Sequence, residues 1–313
     1  MVSPASWAKR RTDYGKGEHT IEMEPDLELA VDPTQLIEML LETFRSPDYR
    51  PPVLPAIALQ LMEMSRKPEV TFPQMASLMQ QEPLLASQVL RLAQSPVYRR
   101  GEPLRTLEQA TSRLGMRVLS DLFLQASLNA RVFRAPGYEA PMMRLADHSG
   151  ATAQLARLVC QHTAMMDEQA FLCGLLHDVG TAACMIAVAG HRSASREPMI
   201  PFPVLAPVLR EVHESASERL AELWQLPGEI RIIIGHHHSL SYKGMIHPLS
   251  AVVCIAESLA TELGHGAQEE INPSSVLQAI SVLNLSQDTM ARLRTSAERL
   301  LEQLPPASGA SVG

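Results

Sequence analysis

Apolar residues recur along most of the chain at intervals of three or four positions, which is the period of an amphipathic α-helix. From Leu54 to about Arg134 such stretches follow one another, each begun by proline, threonine or a similar helix-start residue. No run alternates between apolar and polar residues as a half-buried strand does, and the nearest, IRIIIG, lies in a helical frame. The sequence therefore predicts an all-α fold. Further helical patterns are predicted at about 142–163, 168–189, 203–225, 227–238, 248–263, 273–283 and 286–302.

Interruptions of the helical pattern divide the chain into segments. The first residues are polar and aperiodic, so we expect a disordered tail. A short amphipathic helix begins at Asp32-Pro33, and the prolines of SPDYRPPVLP end that segment, because proline is excluded from helix interiors. Asparagine-proline and serine start signals open the last helices, before a Pro/Gly/Ser-rich end. The predicted segments are 1–31 (tail), 32–50 (short helix and linker), a domain from 51, 261–304 (C-terminal helices) and 305–313 (flexible tail).

Composition narrows the classes of function. A chain of 313 residues with 46% hydrophobic content can bury a large core, and its net charge of -7 argues against a nucleic-acid partner held through its phosphates. The 4 cysteines show no C-x-x-C spacing, so we expect reduced core residues. The N-terminus has no signal-like apolar stretch, and no run reaches the roughly 20 uninterrupted apolar residues of a membrane span. We expect a cytoplasmic protein with no membrane contact.

Histidines indicate where chemistry would occur. Of the 11 histidines, all but His19 lie between His148 and His265. The stretch FLCGLLHDVGT places His177 and Asp178 inside an apolar run, where an ionised carboxylate costs several kcal/mol unless something compensates its charge. A single histidine on a helix is usually an ordinary core or surface residue, so the pair alone is also consistent with a buried hydrogen bond and no metal.

The order of the remaining candidates favours a metal. His148, the His177-Asp178 pair, His213, the triplet that starts at His236, and Glu257 come from successive predicted helices, which is how a helical bundle assembles a metal site from inward-pointing side chains. Imidazoles and carboxylates suit iron, manganese, nickel or zinc. We therefore predict one or two transition-metal ions, which would also compensate Asp178.

Several of these stretches together resemble the HDOD family, the regulatory branch of the HD superfamily of metal-dependent phosphohydrolases. The resemblance covers roughly residues 51–260, with 51–134 as the N-terminal helical subdomain and 142–260 as the HD-like bundle that carries the metal site. It implies a multi-helix bundle of the HD type and a module of bacterial signal-transduction proteins that is generally thought to lack catalysis. The matching stretches are PPVLPAIALQLMEM, QQEPLLASQVLRLAQSPVYRRGEPLRTLEQATSRLGMRVLSDL, DHSGATAQLARLV, FLCGLLHDVG, VHESASERLAELWQLPGEI and GHHHS.

The resemblance also implies a set of metal ligands. His237 and His238 fit the paired histidines of the superfamily better than His236, because of their distance from Pro227. Glu257 stands where the enzymes have aspartate, which keeps the charge but lengthens the side chain. The implied ligands are His148, His177, Asp178, His213, His237, His238 and Glu257.

Departures from the enzymes bear on activity. The related HD-GYP phosphodiesterases read H-D-x-G-K, whereas Thr181 stands in place of the lysine in this chain, and the Gly-Tyr-Pro motif is missing after the histidine triplet. Arg192 and Arg196, on a predicted loop, are candidates for a phosphate contact, although such loops are usually just solvated.

Two hypotheses remain open at this point. In the first, which the missing lysine favours, the protein is a regulatory module without catalysis that holds a metal or a small phosphorylated ligand and binds a protein partner in a signalling pathway. In the second, which the nearly complete ligand set favours, it is a metal-dependent phosphohydrolase that acts on a nucleotide or cyclic dinucleotide, with Asp178 as its catalytic residue.

Overall fold

The computed structural model describes residues 32–54, 56–64, 67, 69–95, 98, 102–163, 165, 169–267 and 271–304. Within these residues the fold is all-α, as predicted, and from Pro33 onwards they belong to one compact unit. The two predicted tails, 1–31 and 305–313, lie outside the described residues. The helices are α1 (Pro33–Arg45), α2 (Ala56–Met64), α3 (Phe72–Met79), α4 (Pro83–Ala93), α5 (Leu107–Leu114), α6 (Met116–Arg131), α7 (Glu139–His162), α8 (Ala170–Leu176), α9 (Val179–Ser195), α10 (Phe202–Leu223), α11 (Gly228–Gly235), α12 (Pro248–Ala260), α13 (Pro273–Val282) and α14 (Gln287–Leu301).

The residues predicted to start the two C-terminal helices, Asn272 and Ser286, cap those helices in the structure. The side chain of Asn272 accepts a hydrogen bond of 2.9 Å from the backbone N–H of Ser274 at the start of α13. Ser286 does the same for Thr289 at the start of α14, at 3.1 Å. Each bond satisfies a backbone donor that has no partner inside the first helical turn, which fixes where the helix begins.

One small hairpin interrupts the helices in the described chain. Strands β1 (Ser241–Tyr242) and β2 (Met245–Ile246) pair antiparallel around Lys243 and Gly244. Both turn residues have positive φ, 50° and 79°, as a tight hairpin turn requires. Strands of two residues are too short to show alternation, which is why the sequence pattern did not predict them.

Helices α2 to α6 share an apolar core of their own. Met75 and Met79 of α3, Val89 of α4, and Leu119 and Phe123 of α6 are all fully buried in it. Helix α6 packs against α2 and α4, and α3 packs against α5. This arrangement follows from the helical spacing of apolar residues in the sequence, because each helix is too short to bury its apolar stripe alone.

A second group of helices, α7 to α12, forms the bundle that carries the candidate site. Helix α7 packs against α8 and α12, and α10 packs against α9 and α11. Helix α1 also packs on α10, where Arg219 Nε donates to the carbonyl oxygen of Phe44 at 3.0 Å. The linker that follows α1 is held by Trp224, whose Nε1 donates to the carbonyl oxygen of Pro52 at 3.0 Å.

The helix predicted at 168–189 is two helices, and the break falls at His177-Asp178. Asp178 has non-helical backbone angles and is the N-cap residue of α9. Ser217 of α10 satisfies the backbone groups at the break: its Oγ donates to the carbonyl oxygen of His177 at 2.8 Å and accepts from Gly180 N–H at 2.9 Å. Apolar residues continue on both sides of the break, so hydrophobic spacing could not indicate it.

The same region contains a long apolar stretch. Ala170–Ser195 is long and apolar enough to cross a membrane, but 89% of its most apolar window is buried inside the structure, as expected for core helices. The cysteines are buried and reduced, as predicted. They lie in α7, α8, α9 and α12, namely Cys160, Cys173, Cys184 and Cys254.

Candidate metal centre

The structure brings the predicted metal ligands together in two adjoining groups. The first consists of His148 from α7, His177 and Asp178 from the α8–α9 junction, and Glu257 from α12. The second consists of His213 from α10 with His237 and His238, which follow α11. Within each group the potential ligand atoms lie within 4.8 Å of one another, which is close enough to surround one ion.

Asp178 connects the two groups, because each of its carboxylate oxygens faces one of them. Oδ2 lies 3.6 Å from His177 Nε2 and 3.9 Å from His148 Nε2. Oδ1 lies 3.5 Å from His213 Nε2 and 3.6 Å from His237 Nε2. These separations are too long for hydrogen bonds but suit ligands that share an ion at about 2.1 Å from each. If both groups held an ion, the carboxylate would offer one oxygen to each.

Four of the histidine rings are held in the orientation that metal ligands require. In each, Nδ1 lies within hydrogen-bond distance of a backbone carbonyl oxygen, and because a carbonyl can only accept, Nδ1 carries the proton. When such a ring is neutral, its Nε2 atom keeps a lone pair available for the site, an arrangement typical of metal-bound histidine. The pairs are His148 with His265 at 2.8 Å, His177 with Gly174 at 2.8 Å, His213 with Arg210 at 2.9 Å and His237 with Ile234 at 3.0 Å.

The closest approach between two of these rings calls for a cation. Nε2 of His148 lies 3.2 Å from Nε2 of His177. Burial lowers the pKa of both rings, that of His177 to about 3, so both are neutral near pH 7 and their lone pairs face each other. Two lone pairs at this separation repel unless a positive charge lies between them. An ion bound to both nitrogens removes that repulsion.

Other buried atoms of the site also lack partners. Among the described residues, no hydrogen bond reaches Oδ1 of Asp178, Nε2 of His213, Nε2 of His237 or Oε2 of Glu257. A buried polar atom without a partner costs about 1–3 kcal/mol. Several such atoms in one place are expected where an ion completes the site, so the residues present fit a metal ion.

Without a metal, the charge of Asp178 is balanced by one ring. Burial opposes ionisation of Asp178, but His177, His237 and His213 together hold its pKa well below the usual value. Burial also favours a neutral His237, yet the carboxylates of Asp178, Glu214 and Glu257 raise the pKa of that ring to about 9. Near pH 7 the metal-free site therefore holds an ionised Asp178 beside a protonated His237.

Glu257 lies in the first group although its side chain is one carbon longer than that of aspartate. Its carboxylate is buried, and Oε2 lies 3.8 Å from Nδ1 of His238. Burial raises the pKa of Glu257 to about 8, so it is protonated near pH 7 when no metal is bound. His238 is partly exposed, which makes it the ligand nearest to solvent. His236 lies outside both groups, with its ring centroid 5.0 Å from that of Tyr242.

Metal affinity should rise with pH, because two ligands must first lose a proton. His237, with a pKa of about 9, and Glu257, with a pKa of about 8, are both protonated at pH 7. Below pH 8 we expect each displaced proton to weaken the apparent affinity about tenfold per pH unit. Competition with a chromophoric chelator at pH 6, 7 and 8 measures this slope. Glu257→Gln should reduce the slope by about one decade per pH unit, and an affinity independent of pH would contradict the protonation of these two ligands in the metal-free site.

The structure does not bring the two candidate arginines to this site. Helix α9 extends to Ser195, beyond the predicted end at 189, so Arg192 lies on its last turn rather than on a loop. Arg192 is bonded to Glu197 at 2.5 Å, and Arg196 is the C-cap residue. Asp178 is at the opposite end of the same helix, roughly 25 Å away at 1.5 Å per residue.

Two further residues support the site and were not predicted. Glu214 accepts a hydrogen bond of 2.9 Å from the backbone N–H of His238 and lies 3.5 Å from Nδ1 of His237. Ser217 is four residues after His213, and therefore on the same face of α10, where it holds the α8–α9 break. That spacing was visible in the sequence, but which backbone groups Ser217 would meet was not.

Comparison with known sequences identifies one family. The sequence profile described as the HDOD domain matches residues 52–240, more than half of the chain. A relative from Treponema pallidum, an uncharacterized protein, is 25% identical over 256 residues, which are 80% of this chain. The chain spans about half of that relative, 48% of its length.

Solved structures share the fold. A candidate metal-dependent phosphohydrolase from Shewanella amazonensis superposes with a TM-score of 0.62 at 18% identity, over 86% of this chain and 99% of that one. A candidate signal transduction protein from Marinobacter aquaeolei gives a TM-score of 0.60 at 20% identity, over 87% of this chain and 65% of that one. At these identities the likeness concerns the fold alone.

Proposed function

The chain belongs to the HDOD domain family, and on that premise we propose that it is a regulatory signalling module organised around a centre for one or two transition-metal ions. The module binds a protein partner in a bacterial cytoplasmic pathway, and the metal keeps the bundle in its binding form. The proposed regulatory function requires no catalysis by the module. The observation that carries the metal assignment is the 3.2 Å approach of two neutral imidazole nitrogens, His148 Nε2 and His177 Nε2.

The proposed ligands divide between two ions. His148, His177 and Glu257 would hold the first, and Asp178 would be shared with the second. The second ion would also take His213, His237 and His238. Imidazole and carboxylate ligands favour iron, manganese, nickel or zinc over magnesium and calcium, which prefer oxygen ligands alone.

Purification without a histidine tag tests the metal centre directly. We expect elemental analysis to find about one to two equivalents of a transition metal, because a structural site of this kind binds tightly near neutral pH. Protein that holds less than about a tenth of an equivalent, and takes up none on anaerobic reconstitution, would exclude the centre. His213→Ala and His148→Ala serve to separate the ions, since each should remove metal from a different group.

A metal-dependent phosphohydrolase is the second candidate, and one observation favours it. Asp178 presents one oxygen to each ligand group, as in sites where two ions act together on a phosphate. Bound ions of this kind lower the pKa of water and polarise a phosphoryl oxygen. Against this function, Thr181 is buried where the HD-GYP enzymes have a lysine, and its uncharged side chain cannot neutralise a phosphate.

Turnover assays distinguish the two functions. With added manganese or iron(II), we expect no hydrolysis of a generic phosphodiester or of cyclic dinucleotides above the rate without protein. A metal-dependent rate that disappears in Asp178→Ala would replace the regulatory proposal with the enzymatic one. The variant must first be shown by circular dichroism to remain folded, so that loss of rate is not loss of structure.

A further inference from the structure

The proposed ligands of the metal centre differ in how far solvent reaches them. The ring of His238 is 30% exposed, whereas the side chains of the other proposed ligands are at most 8% exposed. One nitrogen of the His238 ring nevertheless lies within 4.8 Å of ligand atoms of His213 and His237. His238 therefore connects solvent with the second ligand group.

Both nitrogens of the His238 ring are open to solvent. Neither forms a hydrogen bond with a described residue, since Oε2 of Glu257 is 3.8 Å from Nδ1. Nε2 of His213 and Nε2 of His237 also lack partners in the described chain, but those two atoms are sealed inside the protein, whereas the nitrogens of His238 are not. A cation that comes from solvent can thus reach His238 before it reaches the rest of the group.

The carboxylate of Glu214 lies beside this ring. Its Oε1 atom accepts the 2.9 Å hydrogen bond from the backbone N–H of His238 and is 3.5 Å from Nδ1 of His237. The side chain is 27% exposed, and Oε2 forms no hydrogen bond with a described residue and is not sealed from solvent. One oxygen therefore holds the backbone that carries His238, while the other is open to water.

The charge at this position favours cations. Among the described residues, no lysine or arginine forms an ion pair with Glu214. Arg210 is one helical turn earlier on α10, but its side chain forms no ion pair with any carboxylate that the structure describes. The negative charge of Glu214 is thus not neutralised by a direct contact, and it attracts a divalent cation and repels a phosphate.

We propose that metal ions enter the centre between Glu214 and His238, with Glu214 as the residue that attracts the cation and His238 as the first ligand to bind it. This inference rests on the proposed metal centre. The buried ligands His213 and His237 bind after His238, because their Nε2 atoms cannot be reached from solvent. The opening therefore admits divalent cations in preference to phosphorylated anions.

Metal uptake by chelator-treated protein tests this entry route. The protein is mixed with Zn²⁺, and the ions that remain free after a variable delay are trapped with a chromophoric indicator. At an ionic strength of about 0.1 M, we expect Glu214→Gln to slow association of the first equivalent about threefold or more. The amide oxygen of glutamine can still accept the N–H of His238, so this variant removes the charge and keeps the contact.

The matched control is Glu222→Gln, on the same helix. Glu222 is bonded to Arg219 at 2.6 Å and lies roughly 12 Å further along α10 than Glu214, at 1.5 Å per residue. At about 0.1 M salt that separation exceeds the screening length, so the association rate should change less than about 1.5-fold. A slowing as large as that of Glu214→Gln would show that the effect is not specific to the opening, and would overturn the proposal.

Salt dependence distinguishes the charge of Glu214 from a merely structural role. The wild-type association rate should fall as ionic strength rises from about 0.01 to 0.2 M, and the rate of Glu214→Gln should fall much less. Glu214→Asp restores the charge and should restore the salt dependence. The rate is the decisive quantity rather than the affinity, because Glu214 also raises the pKa of His237, so its removal favours the metal at equilibrium.

Two further variants test the order in which the ligands bind. His238→Gln removes the first ligand and should slow association about threefold or more. His148→Gln removes a buried ligand of the other group and should leave the association rate within about 1.5-fold of wild type, so that its loss of affinity is in dissociation. Circular dichroism shows that each variant is folded before its rate is compared. Equal slowing by both variants would overturn the order.

Failure of the entry route can be distinguished from failure of the metal centre. Wild type and Glu214→Gln that both bind Zn²⁺, with equal association rates or equal salt dependences, would overturn the entry route and leave the centre intact. Wild type that takes up no Zn²⁺ would contradict the centre itself, and the entry route with it.

Discussion

Gly180→Ala is expected to destabilise the protein by about 3 kcal/mol or more, one of the largest effects available from adding a single methyl group. A Cβ at this position would lie 2.1 Å from the carbonyl oxygen of His213 and 2.5 Å from the backbone nitrogen of Ser217. Both are backbone atoms of α10, so the clash cannot be relieved by rotating a side chain. Helices α9 and α10 must move apart, which would break the hydrogen bonds of Ser217 at the α8–α9 junction.

Urea denaturation measures the effect, and the same helix provides the control. Gly190 also lies in α9, but a Cβ there would meet no atom within 4 Å. Gly190→Ala should therefore stabilise the protein by about 0.5–1 kcal/mol, as removal of glycine from a helix interior does. A free energy of unfolding within about 1 kcal/mol of wild type for Gly180→Ala would show that the two helices are not in such close contact.

Asp178→Asn should abolish most of the stabilisation that metal gives to the protein. With free metal about 1,000-fold above its dissociation constant, binding adds about 4 kcal/mol to the wild-type free energy of unfolding. That corresponds to an increase of roughly 6–7 °C in Tm, because the entropy of unfolding of a chain of this size is about 0.6 kcal/mol/K. The uncharged amide would hold a metal ion less tightly than the carboxylate, so we expect less than about a third of this increase in the variant.

The metal-free variant should change much less. Ionised Asp178 has a lowered pKa, so it stabilises the fold above about pH 4 and that contribution is lost in the variant. His237 can then release its proton, which limits the cost to about 1–2 kcal/mol. Melting curves with chelator and with excess metal give both quantities. Asp288→Asn, at an exposed carboxylate, is the control, and an equal metal-induced shift in Asp178→Asn and wild type would show that Asp178 is not a ligand.

The fold class was predictable because hydrophobic spacing is a local signal. Each helix needs an apolar stripe, and the stripes of α3, α4 and α6 are visible in the sequence whatever they pack against. The break at His177-Asp178 was not predictable from spacing, since the bonds that permit it come from Ser217, 40 residues away. The extension of α9 past residue 189 was missed because its last turns are polar and carry no stripe.

The sequence could predict which residue types form the candidate site, but not that they divide into two groups on either side of Asp178. Histidines and carboxylates on successive helices pointed to a common site, and the family resemblance selected His237 and His238 from the triplet. The two groups could be distinguished only once the oxygens of Asp178 were seen to face different rings. Whether Glu257 faces the site depends on how α12 is rotated about its own axis. The length of the side chain, which the sequence does show, does not determine that rotation.

The contacts of α1 impose an order on biosynthesis. Phe44 and Pro52 are bonded to Arg219 and Trp224, which follow them by 175 and 172 residues. At about 5–20 residues per second, the ribosome needs roughly 10–35 s to make the chain between the two partners. During that time the apolar stripe of α1, with Leu36, Leu40 and Phe44, has no docking surface on α10. Helix α1, which precedes every other helix that the structure describes, must therefore be among the last of them to join the native structure.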